Sequence, residues 1–259
     1  MEIIKTAVKV GNSAGVLLPK KWLNSSVKIT LEPLNIERDV IGILIEEEIL
    51  KKVMGIYLTG SYARNEQTIE SDVDVLAITS DISKRIKRDK YEIICVSKKE
   101  LENQLNENAL PLLAMIKEAK TIINEELIKE YSDYPLNEKN LRYHIKTTKS
   151  AMKVVEKDIL FSKEIRENAS DASAYSLILR LRTFYIIDCI KNKKIWSKNN
   201  FLNLIKKISK NLNAYELYLN VKNKNTLSYK LNVREAEKLM NYINKNIEKI
   251  ERWLKEKKD

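Results

Sequence analysis

The chain has 259 residues, which suffices for one large domain or two to three smaller ones, and 44% of its residues are hydrophobic, as in an ordinary globular protein. It carries a net charge of +11 and contains a single histidine, His144, and two cysteines, Cys95 and Cys189, set among apolar neighbours. This composition argues against a zinc cluster and against a histidine-based catalytic triad. The sequence has neither a long apolar run nor a signal-like N-terminus, so we expect a cytoplasmic protein with no membrane partner. Any catalysis should depend on carboxylates.

The positive charge is concentrated in the second half of the chain. Residues 1–136 contain 19 basic and 22 acidic residues, whereas residues 137–259 contain 28 basic and 14 acidic residues. A basic half favours an anionic partner such as RNA, DNA or a nucleotide. AT-rich coding sequence also produces a chain rich in Ile, Lys and Asn, so composition alone leaves both explanations open.

Three segments follow one another along the chain. Residues 1–33 contain short strand-like runs (TAVKV, GVLLP and VKITLEP) that turn residues separate, and Pro33 closes the segment. Residues 37–134 alternate helical and strand patterns: ERDVIGILIEEEILKKVM, which ends at residue 54, is a helix candidate, and GIYLTG, SDVDVLAIT and YEIICVS are strand candidates. This alternation predicts an α/β unit with a small mixed sheet. Residues 137–259 contain no glycine or proline and have helical periodicity, which predicts an all-α antiparallel bundle whose last helix has Asn232 as its candidate N-cap. The predicted fold class is therefore α+β multidomain, with a second boundary near Pro135.

The stretch GSYARNEQTIESDVDVL, residues 60–76, places two acidic residues inside a strand-like run. Asp72 and Asp74 are two positions apart, so their side chains point to the same face of a strand. Two neighbouring carboxylates repel each other unless a cation lies between them, and hard divalent cations prefer oxygen ligands. The pattern predicts a magnesium site.

The beginning of the same stretch has the properties of a phosphate-binding turn. Gly60 allows a ligand to approach the backbone closely, and amides at the start of a helix opened by Ser61 bind anions. Ser61 adds a hydroxyl group and Arg64 adds a guanidinium group. Glu92, in the strand KYEIICV, offers the third carboxylate that a two-metal site needs. These residues together suit a nucleotide bound with Mg²⁺.

The spacing of these residues resembles a known signature. Gly60-Ser61, ten residues and then Asp72-Val73-Asp74 is similar to the signature of the polymerase-β-type nucleotidyltransferase superfamily, and GSYAR…SDVDVL resembles its minimal nucleotidyltransferases. The resemblance implies transfer of an NMP group from an NTP to a hydroxyl acceptor, with two Mg²⁺ ions, or Mn²⁺, as cofactors.

The resemblance also implies a role for each matching residue. Asp72 and Asp74 would hold the metal ions, and the glycine–serine pair would hold the triphosphate. Glu92 would match the third acid of the family, which binds the catalytic metal and helps to activate the attacking hydroxyl. Asp89 lies nearby in the sequence and is a rival for this third position.

Residues 137–259 are similar to the helical bundles that follow such domains in kanamycin-nucleotidyltransferase-like and HEPN-like proteins. HEPN-type RNases carry an arginine and a histidine at a wider spacing than Arg142 and His144 have here. RNase activity is therefore not expected, and His144 should lie at the surface or at a helix cap. Arg180 and Arg182 lie in a very apolar helix, where they either reach substrate phosphates or form buried ion pairs.

The first segment has a resemblance of its own. The run VKVGNSAGVLLPKKW is similar to the swapped-hairpin domain of AbrB- and MazE-type transcription regulators, in which two chains interlock into one DNA-binding barrel. This implies a homodimer, with Lys9, Asn12, Lys20 and Lys21 as candidate DNA contacts. A segment that only dimerises remains an alternative.

Three functions are open at this stage. The first is a Mg²⁺-dependent nucleotidyltransferase, the second is a DNA-binding regulator or antitoxin-like module with a residual transferase fold, and the third is a polymerase that adds RNA tails. The complete set of acids favours an enzyme, because a decayed domain would lose Asp72, Asp74 or the glycine–serine pair. The acceptor is open among a small alcohol, a protein tyrosine and an RNA end.

Overall fold

The computed structural model describes residues 3, 5, 7–30, 34–69, 71–223 and 230–256. The chain divides into two compact units, Met1–Asn35 and Ile36–Asp259. Pro33, which the sequence predicts to close the first segment, lies outside the described residues. The boundary predicted near Pro135 falls inside the second unit.

The first unit contains one short β-hairpin. Strands β1 (Val8–Val10) and β2 (Ser13–Gly15) pair antiparallel. Gly11, in the turn between them, has a φ of +61°, which glycine adopts without strain. One 3₁₀ turn follows at Lys20–Trp22. The runs GVLLP and VKITLEP do not form the predicted strands in the described part of this unit, because a strand needs a neighbour for its backbone groups and the hairpin offers none to them.

The second unit is built on a five-stranded mixed sheet. Its strands, in the spatial order β5-β6-β4-β3-β7, are β3 (Val53–Thr59), β4 (Val73–Thr79), β5 (Lys84–Arg88), β6 (Tyr91–Ser97) and β7 (Lys120–Ile123). Strands β4 and β6 are parallel, and the other neighbours are antiparallel. The strands predicted within GIYLTG, SDVDVLAIT and YEIICVS are confirmed. The two edge strands, β5 and β7, have no counterpart in the predicted pattern.

Helices cover both faces of this sheet. They are α1 (Ile36–Glu46), α2 (Gly60–Ala63), α3 (Lys98–Asn108), α4 (Leu110–Glu118) and α5 (Glu125–Ser132). Helix α1 ends well before the predicted end near residue 54, because Glu48 has a φ of +58° and a new strand begins at Val53. One core cluster contains Leu44 of α1, and the cluster on the opposite face contains Leu101 and Leu113.

In the described ranges from residue 138 onward, all the regular elements longer than a single bridge are helices, as predicted. The helices are α6 (Glu138–Glu164), α7 (Asp171–Lys191), α8 (Lys198–Ser209), α9 (Asn213–Asn223) and α10 (Val233–Glu256). Helix α7 is central and contacts α6, α9 and α10. The predicted cap of the last helix is confirmed, since the Asn232 side chain accepts a hydrogen bond from the Arg234 amide at 2.8 Å. Within the described ranges, no helix has the length and apolar character needed to cross a membrane.

Candidate functional site

The two acids of the predicted metal site lie at the beginning of β4. Asp74 alternates with Leu76 and Ile78, so its side chain lies on the sheet face covered by α3 and α4. Asp72 comes just before the strand. Burial and the negative charge of Asp72 raise the pKa of Asp74. The two carboxylates therefore interact, as the sequence predicts.

Three cations oppose this rise in the pKa of Asp74. Lys222 of α9, Arg64 and Arg182 of α7 each lower the pKa of Asp74 through their positive charge. They come from three different segments of the second unit, which meet around the carboxylate. The site therefore has acidic groups on the sheet and cationic groups on the other segments, and we call the region between Asp74 and these cations the cleft.

The glycine of the predicted phosphate turn fits closely against Asp74. Thr59 is the register partner of Asp74, and its Oγ1 donates a hydrogen bond to the Asp74 carbonyl at 3.2 Å. Gly60 follows with a φ of +69°, and a Cβ atom at this position would lie 2.1 Å from Oδ2 of Asp74. Only glycine satisfies both the backbone conformation and this contact.

The turn after β3 differs from the predicted phosphate turn in one respect. Helix α2 is a single turn of four residues, and the Gly60 amide donates a hydrogen bond to Oε1 of Glu118 at 2.7 Å. This amide is therefore already engaged. The half-buried Ser61 hydroxyl, in contrast, has no hydrogen-bond partner among the residues described.

The Arg64 side chain is buried and is in contact with other side chains. It is 8% exposed, and it donates hydrogen bonds to Oε2 of Glu118 at 2.5 Å and to Oε2 of Glu66 at 3.0 Å. Its guanidinium also lies 3.8 Å from the ring centroid of Trp196. The predicted cationic fork is thus occupied by two carboxylates and an aromatic face, although its charge still acts on Asp74.

The predicted third acid, Glu92, lies directly opposite Asp74 in the parallel register of β4 and β6, so the two side chains share a face. It forms an ion pair with Arg85 of the edge strand β5. Its rival Asp89 is exposed in the turn between β5 and β6, where it has a φ of +51°. Among the described residues, no group of three or more acidic, histidine or cysteine side chains is arranged to hold a metal ion.

Of the two arginines of α7, Arg182 is the one whose charge lowers the pKa of Asp74. It lies 4.9 Å from the ring centroid of Trp196, and no carboxylate in the described ranges lies within ion-pair distance of it. Arg180 instead donates a hydrogen bond to the Thr147 hydroxyl at 3.4 Å. The alternative of buried ion pairs for these arginines is not found in the part of the chain that the structure describes.

His144 is buried rather than at the surface or at a cap, and its pKa is lowered to about 4 by burial and by the charge of Arg180. Both cysteines are buried and free, as expected.

Sequence reasoning missed three residues of the site, Glu66, Glu118 and Trp196. Glu66 lies within the signature stretch, at a position between Arg64 and Asp72 that the signature does not specify, and Glu118 lies in a stretch without a recognisable motif. The available signal for Trp196 was a large aromatic residue that stands with Ile195 in the otherwise polar and basic connection KNKKIWSKN.

The candidate DNA contacts belong to the first unit and are described within it. Lys9 is in β1, Asn12 is in the hairpin turn, and Lys20 and Lys21 are in the 3₁₀ turn. All four are exposed.

The chain matches the nucleotidyltransferase domain family over residues 43–257. No curated protein matches it. The chain resembles two solved structures. One is a nucleotidyltransferase-like protein from Exiguobacterium sibiricum, with 13% identity, a TM-score of 0.38, and coverage of 83% of this chain and 75% of that chain. The other is a spectinomycin adenyltransferase from Enterococcus faecialis, solved with ATP and spectinomycin, with 16% identity, a TM-score of 0.47, and coverage of 82% and 98% respectively.

The family match covers most of the chain and includes Gly60, Ser61, Asp72, Asp74 and Glu92. It supports the interpretation of the chain as a transferase of NMP groups. The chain belongs to the nucleotidyltransferase family, and it is an enzyme of that type.

Proposed function

We propose that this enzyme transfers an NMP group from an NTP to a hydroxyl acceptor in a reaction that depends on Mg²⁺. One observation carries the proposal: the Asp74 carboxylate, on which the charge of Asp72 acts, lies against Gly60, and the charges of Arg182 and Lys222 act on Asp74 from the helices. Carboxylates beside cations form a suitable site for a triphosphate that arrives with its own divalent ions.

The donor set fits a hard divalent cation. Burial and the negative charge of Asp72 raise the pKa of Asp74 despite the nearby cations, and a metal ion between the two carboxylates would relieve their repulsion. Asp72 and Asp74 would therefore hold Mg²⁺, or Mn²⁺. When bound, the metal supplies positive charge that neutralises the phosphate oxygens of the substrate.

Cationic side chains of the protein would balance the phosphate charge that the metal does not neutralise. Arg182 and Lys222 would contact the β- and γ-phosphates, and the Ser61 hydroxyl would donate to a phosphate oxygen. Arg64 would act through its field rather than by direct contact, because its hydrogen bonds go to Glu66 and Glu118. This revises the direct role that the sequence predicts for Arg64.

In the transfer step, the acceptor oxygen forms a bond to the α-phosphorus while the bond from that phosphorus to pyrophosphate breaks. The acceptor hydroxyl loses its proton, and Glu92 is the base that we assign to take it. The Glu92 side chain is 14% exposed and its partner Arg85 is 67% exposed, so Arg85 can turn towards solvent and leave the carboxylate free to accept the proton.

The first prediction tests the carboxylate pair. Asp72→Asn and Asp74→Asn should each abolish the stabilisation of the enzyme by Mg-ATP or another Mg-NTP, because an amide does not replace an anionic metal ligand. For the wild type, ligand at 100 times its dissociation constant should add about 2.7 kcal/mol to the free energy of unfolding. Chemical denaturation with and without Mg-NTP measures this quantity.

Asp81→Asn is the matched control, since Asp81 is an exposed acid paired with Lys52 beyond the other end of the same strand. It should retain the full ligand effect. Asp74→Asn should also leave the unliganded protein at least as stable as the wild type, because one of two repelling charges is removed. Full Mg-NTP stabilisation in both site variants would refute the metal assignment.

A further inference from the structure

A buried ion cluster connects the glycine turn to the helical part of the second unit. We call Arg64, Glu66, Glu118 and Trp196 the Arg64 cluster. The side chains of its three charged members are 8%, 12% and 4% exposed. Burying a charged side chain costs free energy unless the charge is paired, and apolar residues of similar size could hold these segments together without that cost. A role in the function of the site would explain why these charges are buried.

Glu118 holds two parts of the glycine turn at once. Its Oε1 accepts from the Gly60 amide at 2.7 Å, and its Oε2 accepts from Arg64 at 2.5 Å. Gly60 lies so close to Asp74 that a Cβ atom would overlap the carboxylate. Any movement of Glu118 would therefore change the position of the turn relative to the carboxylate that we assign to the metal.

The other members of the cluster reach the helices. Glu66 accepts hydrogen bonds from the Ser197 hydroxyl at 2.6 Å and from the Lys198 amide at 3.0 Å. Trp196, immediately before these residues, has the guanidinium of Arg64 3.8 Å from its ring centroid and that of Arg182 4.9 Å from it. Arg182, the cation that we assign to the phosphates, therefore rests on the same cluster.

We propose that Glu118 and Trp196 are positioning residues of the transfer site. Glu118 holds the glycine turn against Asp74, and Trp196 holds Arg182 where it would face the phosphates. Together they fix the distance between the two sides of the cleft. Neither residue touches the reacting atoms. This proposal rests on the proposed function, because it assumes that Mg-NTP binds at Asp72 and Asp74.

The test measures the dissociation constant of ATP by isothermal titration, once with Mg²⁺ and once with EDTA. Glu118→Gln keeps the shape of the side chain but not its charge, and Glu118→Asp keeps the charge but shortens the reach. Both should weaken Mg-ATP binding about ten-fold, which is the effect expected when a hydrogen bond to a charged group is lost. The dissociation constant in EDTA should change little. The ratio of the dissociation constant in EDTA to that with Mg²⁺ should therefore fall.

Trp196→Leu should behave differently. It removes the aromatic face under Arg182 but leaves Glu118 and its bonds to the turn, so ATP binding should weaken both with Mg²⁺ and with EDTA. Trp253→Leu is the control for this change, since Trp253 also has a cation, Lys191, over its ring but lies outside the cleft. Glu107→Gln, which breaks an exposed ion pair with Lys139, is the control for Glu118.

The outcomes separate the two proposals. If the wild type binds ATP no better with Mg²⁺ than without it, the proposed function fails and the positioning roles fail with it. If Mg²⁺ tightens ATP binding to the wild type and tightens it equally in both Glu118 variants, the positioning role is wrong and the proposed function stands. A purely structural role would lower thermal stability and leave the ratio unchanged. Should Glu118→Gln not fold, Glu118→Asp and Trp196→Leu decide the question.

Discussion

At the scale of single residues, the contact between Gly60 and Asp74 is the most restrictive feature of the site. The positive φ of Gly60 disfavours any other residue, and the space where a side chain would begin is already filled by a carboxylate oxygen. The glycine is therefore explained by its neighbour in the sheet and needs no direct contact with a phosphate.

Gly60→Ala should reduce both stability and nucleotide binding. The left-handed backbone and the 2.1 Å contact with Asp74 both oppose a methyl group, and strain of this kind costs about 1–3 kcal/mol. Gly42→Ala is the control, because Gly42 lies in α1 with nothing within 4 Å of its added Cβ, and alanine favours helix. Urea denaturation and Mg-ATP titration of both variants check this; equal behaviour would contradict the packing argument.

His144 gives a prediction about pH. The pKa of His144 is about 4 in the folded protein and near 6.5 in the unfolded chain. As the pH falls, the unfolded chain therefore binds a proton at His144 before the folded protein does. Stability from neutral His144 is present above pH 6.5 and is lost as the pH falls toward 4. Between pH 7 and pH 5 this group alone should lower the free energy of unfolding by about 2 kcal/mol.

His144→Leu should remove that part of the pH dependence. The Nε2 atom of His144 has no hydrogen-bond partner in the described structure, so an apolar side chain leaves no donor unpaired there. Denaturation curves of the wild type and the variant at the two pH values give the difference. Parallel pH profiles for the two proteins would show that His144 is not the responsible group.

The residues of the site differ in how visible they are in the sequence. Gly60, Asp72 and Asp74 belong to one local pattern, whose spacing is set by a strand, a turn and the next strand. Glu118 contacts Gly60 from 58 positions away, and Ser197 contacts Glu66 from 131 positions away. Such partners are fixed by tertiary packing, which no local periodicity records.

At the scale of elements, the beginning of α8 connects the helices to the site. Ser197 caps this helix by accepting a hydrogen bond from the Asn200 amide at 3.3 Å, and its hydroxyl donates to Glu66. A cap that is also bonded to a buried carboxylate fixes the position of the helix as well as its first turn.

Ser197→Ala should cost about 1 kcal/mol of stability and should also weaken Mg-ATP binding. Ser170→Ala is the matched control, because Ser170 caps α7 in the same way and donates to Asp158 at 3.0 Å, away from the cleft. The control should lose similar stability and keep its nucleotide affinity. If the two variants lose affinity equally, the link between α8 and the site is wrong.

The elements were predictable where they carry a strong pattern. The long periodic helices and the apolar strands β4 and β6 follow from the sequence directly. Strand β5 was missed because KRIKR has one apolar residue at an exposed edge, and β7 because it has only four residues. Edge strands are defined by backbone pairing with a neighbour rather than by their own side chains.

At the scale of the whole molecule, the first unit leaves much of its apolar surface uncovered. Val10, Leu17, Leu23 and Ile29 are each more than half exposed. A segment this short does not bury a core alone. We therefore keep the prediction that two chains pair through this unit about a two-fold axis, as in isologous dimers.

Removing residues 1–35 should give a folded monomer that binds Mg-ATP as the full chain does, because the site residues belong to the second unit. The full chain should behave as a dimer. Light scattering at micromolar concentration distinguishes the two states, and a monomeric full-length chain would refute the pairing. If the unit also binds DNA through Lys9, Lys20 and Lys21, the affinity should fall steeply with salt.

The central claim is that the enzyme transfers a nucleotidyl group. The direct test incubates the full chain with Mg²⁺ and cell lysate, and supplies each of the four NTPs labelled either at the α-phosphate or at the γ-phosphate. The account predicts that an acceptor gains the α-label and never the γ-label, that pyrophosphate is released, and that Asp74→Asn abolishes both. Transfer of the γ-label, or transfer of the α-label that survives Asp74→Asn, would contradict it.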